Sequence, residues 1–88
     1  MTVKEYLLNL DNETEVLVKQ YPIQRLDSSC NLVERQRGNR DVLISSNQNY
    51  LEYEVKTITV DPSITQIICK ANPKQEQEVI AAMYSGRM

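Results

Sequence analysis

Residues with nucleophilic or acid–base side chains do not form a recognisable catalytic set in this sequence. Ser28, Ser29 and Cys30 are adjacent hydroxyl and thiol groups, but the chain contains no histidine to activate them. Glu52 and Glu54 alternate with apolar residues, which favours a solvated strand face over an acid–base pair. We therefore expect a protein that is not an enzyme.

Acidic residues at alternate positions match only the beginning of a calcium-binding loop. Asp11, Glu13 and Glu15 have the spacing of the first three ligands. A complete EF-hand loop needs glycine at its sixth position and glutamate at its twelfth, but these positions hold Val16 and Pro22. This stretch is interpreted as a solvated turn, and no metal or small-molecule cofactor is expected.

The small numbers of cysteines and glycines exclude a structural zinc site within one chain and a glycine-rich phosphate loop. Without histidine, Cys30 and Cys69 cannot supply the four ligands of a structural zinc site within one chain. A disulfide between them is the alternative to two buried free thiols, which we expect because Met1 is not followed by an export signal. Gly38 and Gly86 lie outside any glycine-rich phosphate loop, which excludes nucleotide binding by such a loop.

The spacing of apolar residues predicts a helix and then a strand at the N-terminus. Thr2 and Glu5 have the spacing of a capping box, and apolar residues follow at helical intervals over about residues 3–10. Residues 15–21 contain a β-branched run that ends at Pro22, which is typical of a strand. Residues 31–34 and 41–44 are predicted to pair as a hairpin across a turn that contains Gly38 and Asn39.

Three arginines on this predicted turn form the main local cluster of charge. Residues 19–44 contain five basic and three acidic residues, whereas the whole chain has a net charge of -2. At a hairpin tip, Arg35, Arg37 and Arg40 would project together and could pair with carboxylates or phosphates of a partner. The alternative is that they only keep an exposed turn soluble.

The second half of the sequence predicts two further strands and a helix. Alternating apolar residues indicate a strand that begins at residue 51. The alternation changes phase near Thr57, which either a bulge or a strand end buried on both faces would explain. A turn at residues 61–63 leads to a strand over residues 64–70. Asn72 and Pro73 begin a helix whose apolar face contains Val79, Ile80, Met83 and Tyr84.

These elements predict one α+β domain over residues 1–88. With 41% hydrophobic residues, the chain is globular, and 88 residues do not suffice for two cores. We expect a mainly antiparallel sheet of about five strands, with the N-terminal and C-terminal helices packed on one face. No run approaches the roughly 18 apolar residues of a membrane span, so a cytoplasmic protein without membrane contact is expected.

The opening of the chain resembles small proteins encoded by phages and other mobile elements. The resemblance covers residues 2–18, where T-V-K-E-Y-L is followed by D-N-E-T-E-V-L-V. It implies no functional residues. It implies instead a protein of the anti-CRISPR or related anti-defence type, which binds a host protein such as a CRISPR effector or another defence enzyme stoichiometrically and inhibits it.

Two other function classes remain open. An oligomerising structural or accessory phage protein would cover its exposed apolar surface with a copy of itself. A nucleic-acid-binding regulator ranks third, because the chain lacks Phe and Trp and its total charge is close to neutral.

Overall fold

The computed structural model describes residues 1–23 and 31–85. Within these ranges the chain forms a four-stranded sheet, three α-helices and one 3₁₀ helix. In chain order they are α1 (Val3–Leu8), β1 (Val16–Gln20), β2 (Val33–Gly38), α2 (Arg40–Ser45), the 3₁₀ helix (Asn49–Glu52), β3 (Glu54–Val60), β4 (Thr65–Lys70) and α3 (Pro73–Ser85).

The sheet is mixed, and its strand order is β2-β1-β4-β3. The central strands β1 and β4 are parallel, whereas β2 and β3 pair with them in antiparallel fashion at the two edges. The α+β class is confirmed, but the expectation of about five mainly antiparallel strands is only partly met. Local patterns identified β1 and β4 as strands, but alternation of side chains does not reveal which strand lies beside which.

The predicted hairpin of residues 31–34 and 41–44 is wrong. Residues 33–38 form a strand, and residues 40–45 form α2. Asn39, interpreted as a turn residue, is the N-cap of α2, because its side chain accepts a hydrogen bond from the Val42 N–H at 3.0 Å. A short apolar run such as residues 42–44 fits a strand or a buried helix equally well, so the cap decides the outcome.

The core lies on one face of the sheet. Val16 and Val18 of β1 and Ile67 and Cys69 of β4 project from this face and are fully buried. The helical layer that covers them contributes Val3, Leu7, Leu43, Tyr50, Leu51 and Tyr53. Helix α1 begins as predicted, since the Glu5 N–H donates to Thr2 Oγ1 and the Thr2 N–H donates to Glu5 Oε1.

The start of β3 differs from its prediction, and of the two explanations for the change of phase near Thr57 the structure shows the bulge. Residues 49–52 form the 3₁₀ helix, so Glu52 lies in that helix and Glu54 begins the strand. The register with β4 shifts between Val55 and Thr57, which leaves Lys56 as the extra residue. After the bulge, the side chain of Ile58 returns to the core face opposite Ile67.

None of the described side chains of the C-terminal helix belongs to the buried core, contrary to the prediction, and the side chain of Tyr84 lies outside the described ones. The predicted start of this helix is correct, because Asn72 Oδ1 accepts from the Gln75 N–H at 2.8 Å. However, Val79 and Ile80 are only half-buried, and 47% of Met83 is exposed. Helices α1 and α2 and the 3₁₀ helix already cover the buried strands, so α3 packs at the margin, where Gln75 Nε2 donates to the Glu52 carbonyl.

A change of Ile80 to alanine is therefore expected to be mild. Partial burial predicts a loss of about 1–2 kcal/mol in the free energy of unfolding, at or below the lower end of the range of about 2–5 kcal/mol for a fully buried isoleucine. Urea denaturation of the wild type and Ile80→Ala measures this difference. A loss above about 3 kcal/mol would place α3 in the core after all.

Candidate functional site

The three arginines predicted to form one patch lie in three different environments. Arg35 and Arg37 are on β2, and Arg40 is the first residue of α2. The premise of a hairpin tip is therefore wrong, and the three guanidinium groups do not project together. Their role in partner binding stays a prediction, to be judged from the contacts that each one makes.

Arg37 and Arg40 are already bound to groups of their own chain. Arg37 forms a forked pair with Glu15, in which Nε and Nη2 donate to the two carboxylate oxygens at 3.2 Å. These bonds and the positive charge of Arg37 lower the pKa of the Glu15 carboxyl. Arg40 donates to the Leu10 carbonyl at 2.8 Å and to Asp41 at 3.2 Å, which ties α2 to the loop after α1.

Arg35 projects towards the core face because β2 contains a bulge. Glu34 pairs with Lys19 and Gln36 pairs with Val18, so Arg35 is the extra residue between them. Without this bulge, Arg35 and Arg37 would lie on the same face of the strand. The bulge instead separates the two guanidinium groups.

The half-buried guanidinium of Arg35 is held by neutral amide oxygens. Nη1 donates to Gln20 Oε1, and Nη2 donates to Asn49 Oδ1 at 2.9 Å and to Gln48 Oε1 at 3.4 Å. The guanidinium carbon also lies 5.3 Å from the centre of the Tyr50 ring, within cation–π range. No carboxylate within residues 1–23 and 31–85 forms an ion pair with it.

A second set of hydrogen bonds fixes the residues around Arg35. Gln36 Oε1 accepts from the Tyr50 hydroxyl at 2.9 Å and from Gln48 Nε2 at 3.3 Å. We call Arg35 with Gln20, Gln36, Gln48, Asn49 and Tyr50 the Arg35 cluster. It joins β1, β2 and the 3₁₀ helix at one edge of the sheet.

Sequence reasoning missed the amide residues of this cluster, although one signal was present. Gln20 continues the alternation of Val16 and Val18, so it belongs to the core face, and only 5% of it is exposed. A buried glutamine needs a polar partner, and Arg35 supplies it. Gln48 and Asn49 lie in a polar stretch of sequence, residues 45–49, that carries no comparable signal.

Two buried polar groups lie next to the Arg35 cluster. Tyr53 Oη is buried and, within the described part of the chain, has no hydrogen-bond partner. Burial raises the pKa of the Tyr53 hydroxyl, and the charge of Arg35 opposes this change. Burial also raises the pKa of the Cys69 thiol to about 11, although the positive charge of Arg35 acts to lower this pKa as well. The prediction of a buried free thiol is confirmed for Cys69, whereas Cys30 lies outside the described residues.

The raised pKa of Cys69 predicts lower stability at alkaline pH. An unfolded thiol loses its proton near about pH 8.5, whereas folded Cys69 keeps it to about pH 11. The contribution of this group to stability is therefore complete below that range and is lost as the pH rises through it. Urea midpoints between pH 8 and pH 11, compared with Cys69→Ala, should show a steeper decline in the wild type. Parallel declines would contradict this assignment.

Three other features that could indicate a function are a metal site, a membrane-spanning helix and similarity to known proteins. Among the residues that the structure describes, no three Cys, Asp or Glu side chains are placed to hold a metal ion. No helix in the described ranges has the length and hydrophobicity to cross a membrane. Comparison with protein-family models, curated proteins and solved structures finds no match to this chain.

Proposed function

We propose that this chain is a small non-catalytic binding protein that inhibits a host defence protein by stoichiometric contact in the host cytoplasm. The observation that carries the binding site is the half-buried guanidinium of Arg35, which has amide partners and no carboxylate among the described residues. The anti-defence context rests on the resemblance of residues 2–18. The contact chemistry rests on the Arg35 cluster.

A carboxylate of the partner would complete this cluster. Removing a guanidinium from water is costly, and neutral amide oxygens offset the cost less fully than an anion does. The three hydrogen bonds of Arg35 use three of its five N–H donors. The bond to Gln48, at 3.4 Å, is long enough to be exchanged easily for a stronger one.

The cluster is also accessible from solvent. Asn49 is exposed, and it lines a shallow groove between the 3₁₀ helix and α3. Tyr53, Val79 and Ala82 form apolar parts of the same groove. The groove also contains two acidic side chains, Glu52 and Glu78, so it suits an apolar or basic side chain of the partner, whereas an acidic side chain of the partner would contact Arg35.

Capture and titration test the proposed function. The full chain is immobilised, a host protein retained from a lysate is purified, and its activity is titrated with increasing amounts of the chain. A stoichiometric inhibitor should give an end point at a fixed molar ratio, whereas a catalyst inactivates an excess of its target. Loss of target activity at a small fraction of one equivalent would contradict the proposal.

A further inference from the structure

Strand β3 is an edge of the sheet, and only its first half is covered. The Val55 N–H donates to the Met1 carbonyl at 2.9 Å, and the Val3 N–H donates to the Tyr53 carbonyl at 3.0 Å. Thr2 and Glu54 form an isolated antiparallel bridge. Beyond this N-terminal segment, residues 57–60 have no strand on their outer side within the described parts of the chain.

The hairpin after β3 identifies the backbone groups that point outward. Asp61 and Ile64 exchange two hydrogen bonds, of 3.0 and 3.2 Å, so the backbone groups of Asp61 face β4. Because direction alternates along a strand, the groups of Thr59 also face β4, and those of Ile58 and Val60 face outward. The side chain of Val60 is itself 75% exposed.

The two edges of the sheet differ in their protection against further pairing. Edge strand β2 has a bulge at Arg35 and charged side chains at Glu34 and Arg37, which are usual devices against edge-to-edge contact. On β3 the same devices, a bulge and charged side chains, are confined to residues 54–56. Residues 57–60 of β3 are threonine, isoleucine, threonine and valine, all β-branched and all uncharged. This open segment is suited to receive another strand.

We propose that the β3 edge pairs with the β3 edge of a second copy of this chain. Antiparallel pairing about a two-fold axis at Thr59 places Ile58 opposite Val60 of the second copy, and Val60 opposite its Ile58. Each of these pairs exchanges two backbone hydrogen bonds, so all four outward groups on each chain are used. Side chains opposite one another also share a face, as sheet continuity requires.

The charged residues at the two ends of the segment favour a second copy over another protein. Asp61 of one copy lies opposite Thr57 of the other copy, and Lys56 of that other copy is the neighbour of Thr57 in the chain. Lys56 is exposed and has only a weak pair with Glu54 at 3.5 Å, so it can approach this carboxylate. The symmetry produces this contact twice, and the register leaves the Met1–Val3 segment in place.

Pairing of this kind would join two sheets into one of eight strands. The Arg35 clusters would then lie at its two outer edges, separated by seven strand spacings, or about 34 Å. The dimer would present two binding sites, although the inference does not depend on the function proposed for them.

Two matched lysine variants test this interface by sedimentation equilibrium from about 10 µM to about 1 mM. Thr59→Lys places two ammonium groups opposite each other on the axis and should weaken dimerisation by up to about fivefold. Thr57→Lys adds the same charge to the same exposed face of β3, but opposite Asp61 of the second copy. It should dimerise as tightly as the wild type or more tightly.

A cysteine variant gives a second, independent readout. In the proposed dimer, Thr59 of one copy lies opposite Thr59 of the other copy. The two residues form a non-hydrogen-bonded pair, in which the Cα atoms are about 4.5 Å apart. Mild oxidation should therefore link Thr59→Cys into a covalent dimer, and should leave Thr57→Cys unlinked. A wild type that is monomeric at 1 mM, or a dimer that resists Thr59→Lys, would overturn the proposal.

Discussion

Replacing Ile67 by alanine is expected to be among the most destabilising single changes in this chain. Ile67 is 0% exposed, lies on central strand β4 opposite Val18 and Ile58, and belongs to the cluster of buried side chains that forms the core. Loss of the side chain removes buried apolar surface and leaves a cavity that rigid neighbouring strands cannot close. We expect a loss of about 2–5 kcal/mol, a large share of the total for a small domain.

Urea denaturation followed by circular dichroism measures this loss. Ile80→Ala is the matched control, because the same atoms are removed from a half-buried position on α3. The ratio of the two losses tests the description of which helices form the core. Equal losses would contradict the separation of α3 from the core.

The second large effect is expected in binding rather than in stability. Arg35→Gln removes the charge of the Arg35 cluster but keeps a polar side chain beside Gln20. If the partner supplies a carboxylate, its affinity should fall roughly 30-fold or more, since truncating one member of a desolvated charge pair costs about 2–5 kcal/mol. Calorimetric titration of the purified partner with wild type and variant measures this change.

Arg37→Gln is the matched control for charge. It removes the same charge from the same strand, but Arg37 is exposed and is paired with Glu15. Such a surface pair contributes little, so the variant should keep its affinity within about threefold. Equal losses in both variants would indicate a general effect of positive charge. A loss in Arg37→Gln alone would move the contact to the opposite face of β2.

Local features of this fold could be read directly from the sequence. The Thr2–Glu5 capping box, the strand before Pro22, the turn at residues 61–63 and the bulge near Thr57 all involve residues within one turn or one strand. Each is determined by short-range hydrogen bonds or by alternation of side chains, which short windows of sequence contain.

Features that depend on distant contacts could not be read in this way. The parallel pairing of β1 with β4 joins residues about 50 positions apart, and no local pattern specifies it. The position of Arg35 depends on a bulge in β2 that alternation of polar residues does not reveal. The marginal place of α3 follows from the space that other helices already occupy, although its apolar spacing is typical of a core helix.

Nuclear magnetic resonance of the arginine side chains tests most directly whether Arg35 binds an acidic group. The ¹⁵N-labelled full chain is titrated with an acetylated triglutamate peptide, and a triglutamine peptide serves as the uncharged control. We predict a saturable shift of the Arg35 Nε–H signal that is larger than the shifts of Arg37 and Arg40 and is absent with triglutamine. An unchanged Arg35 signal, or equal shifts at all three arginines, would contradict the assignment of the Arg35 cluster as the binding site.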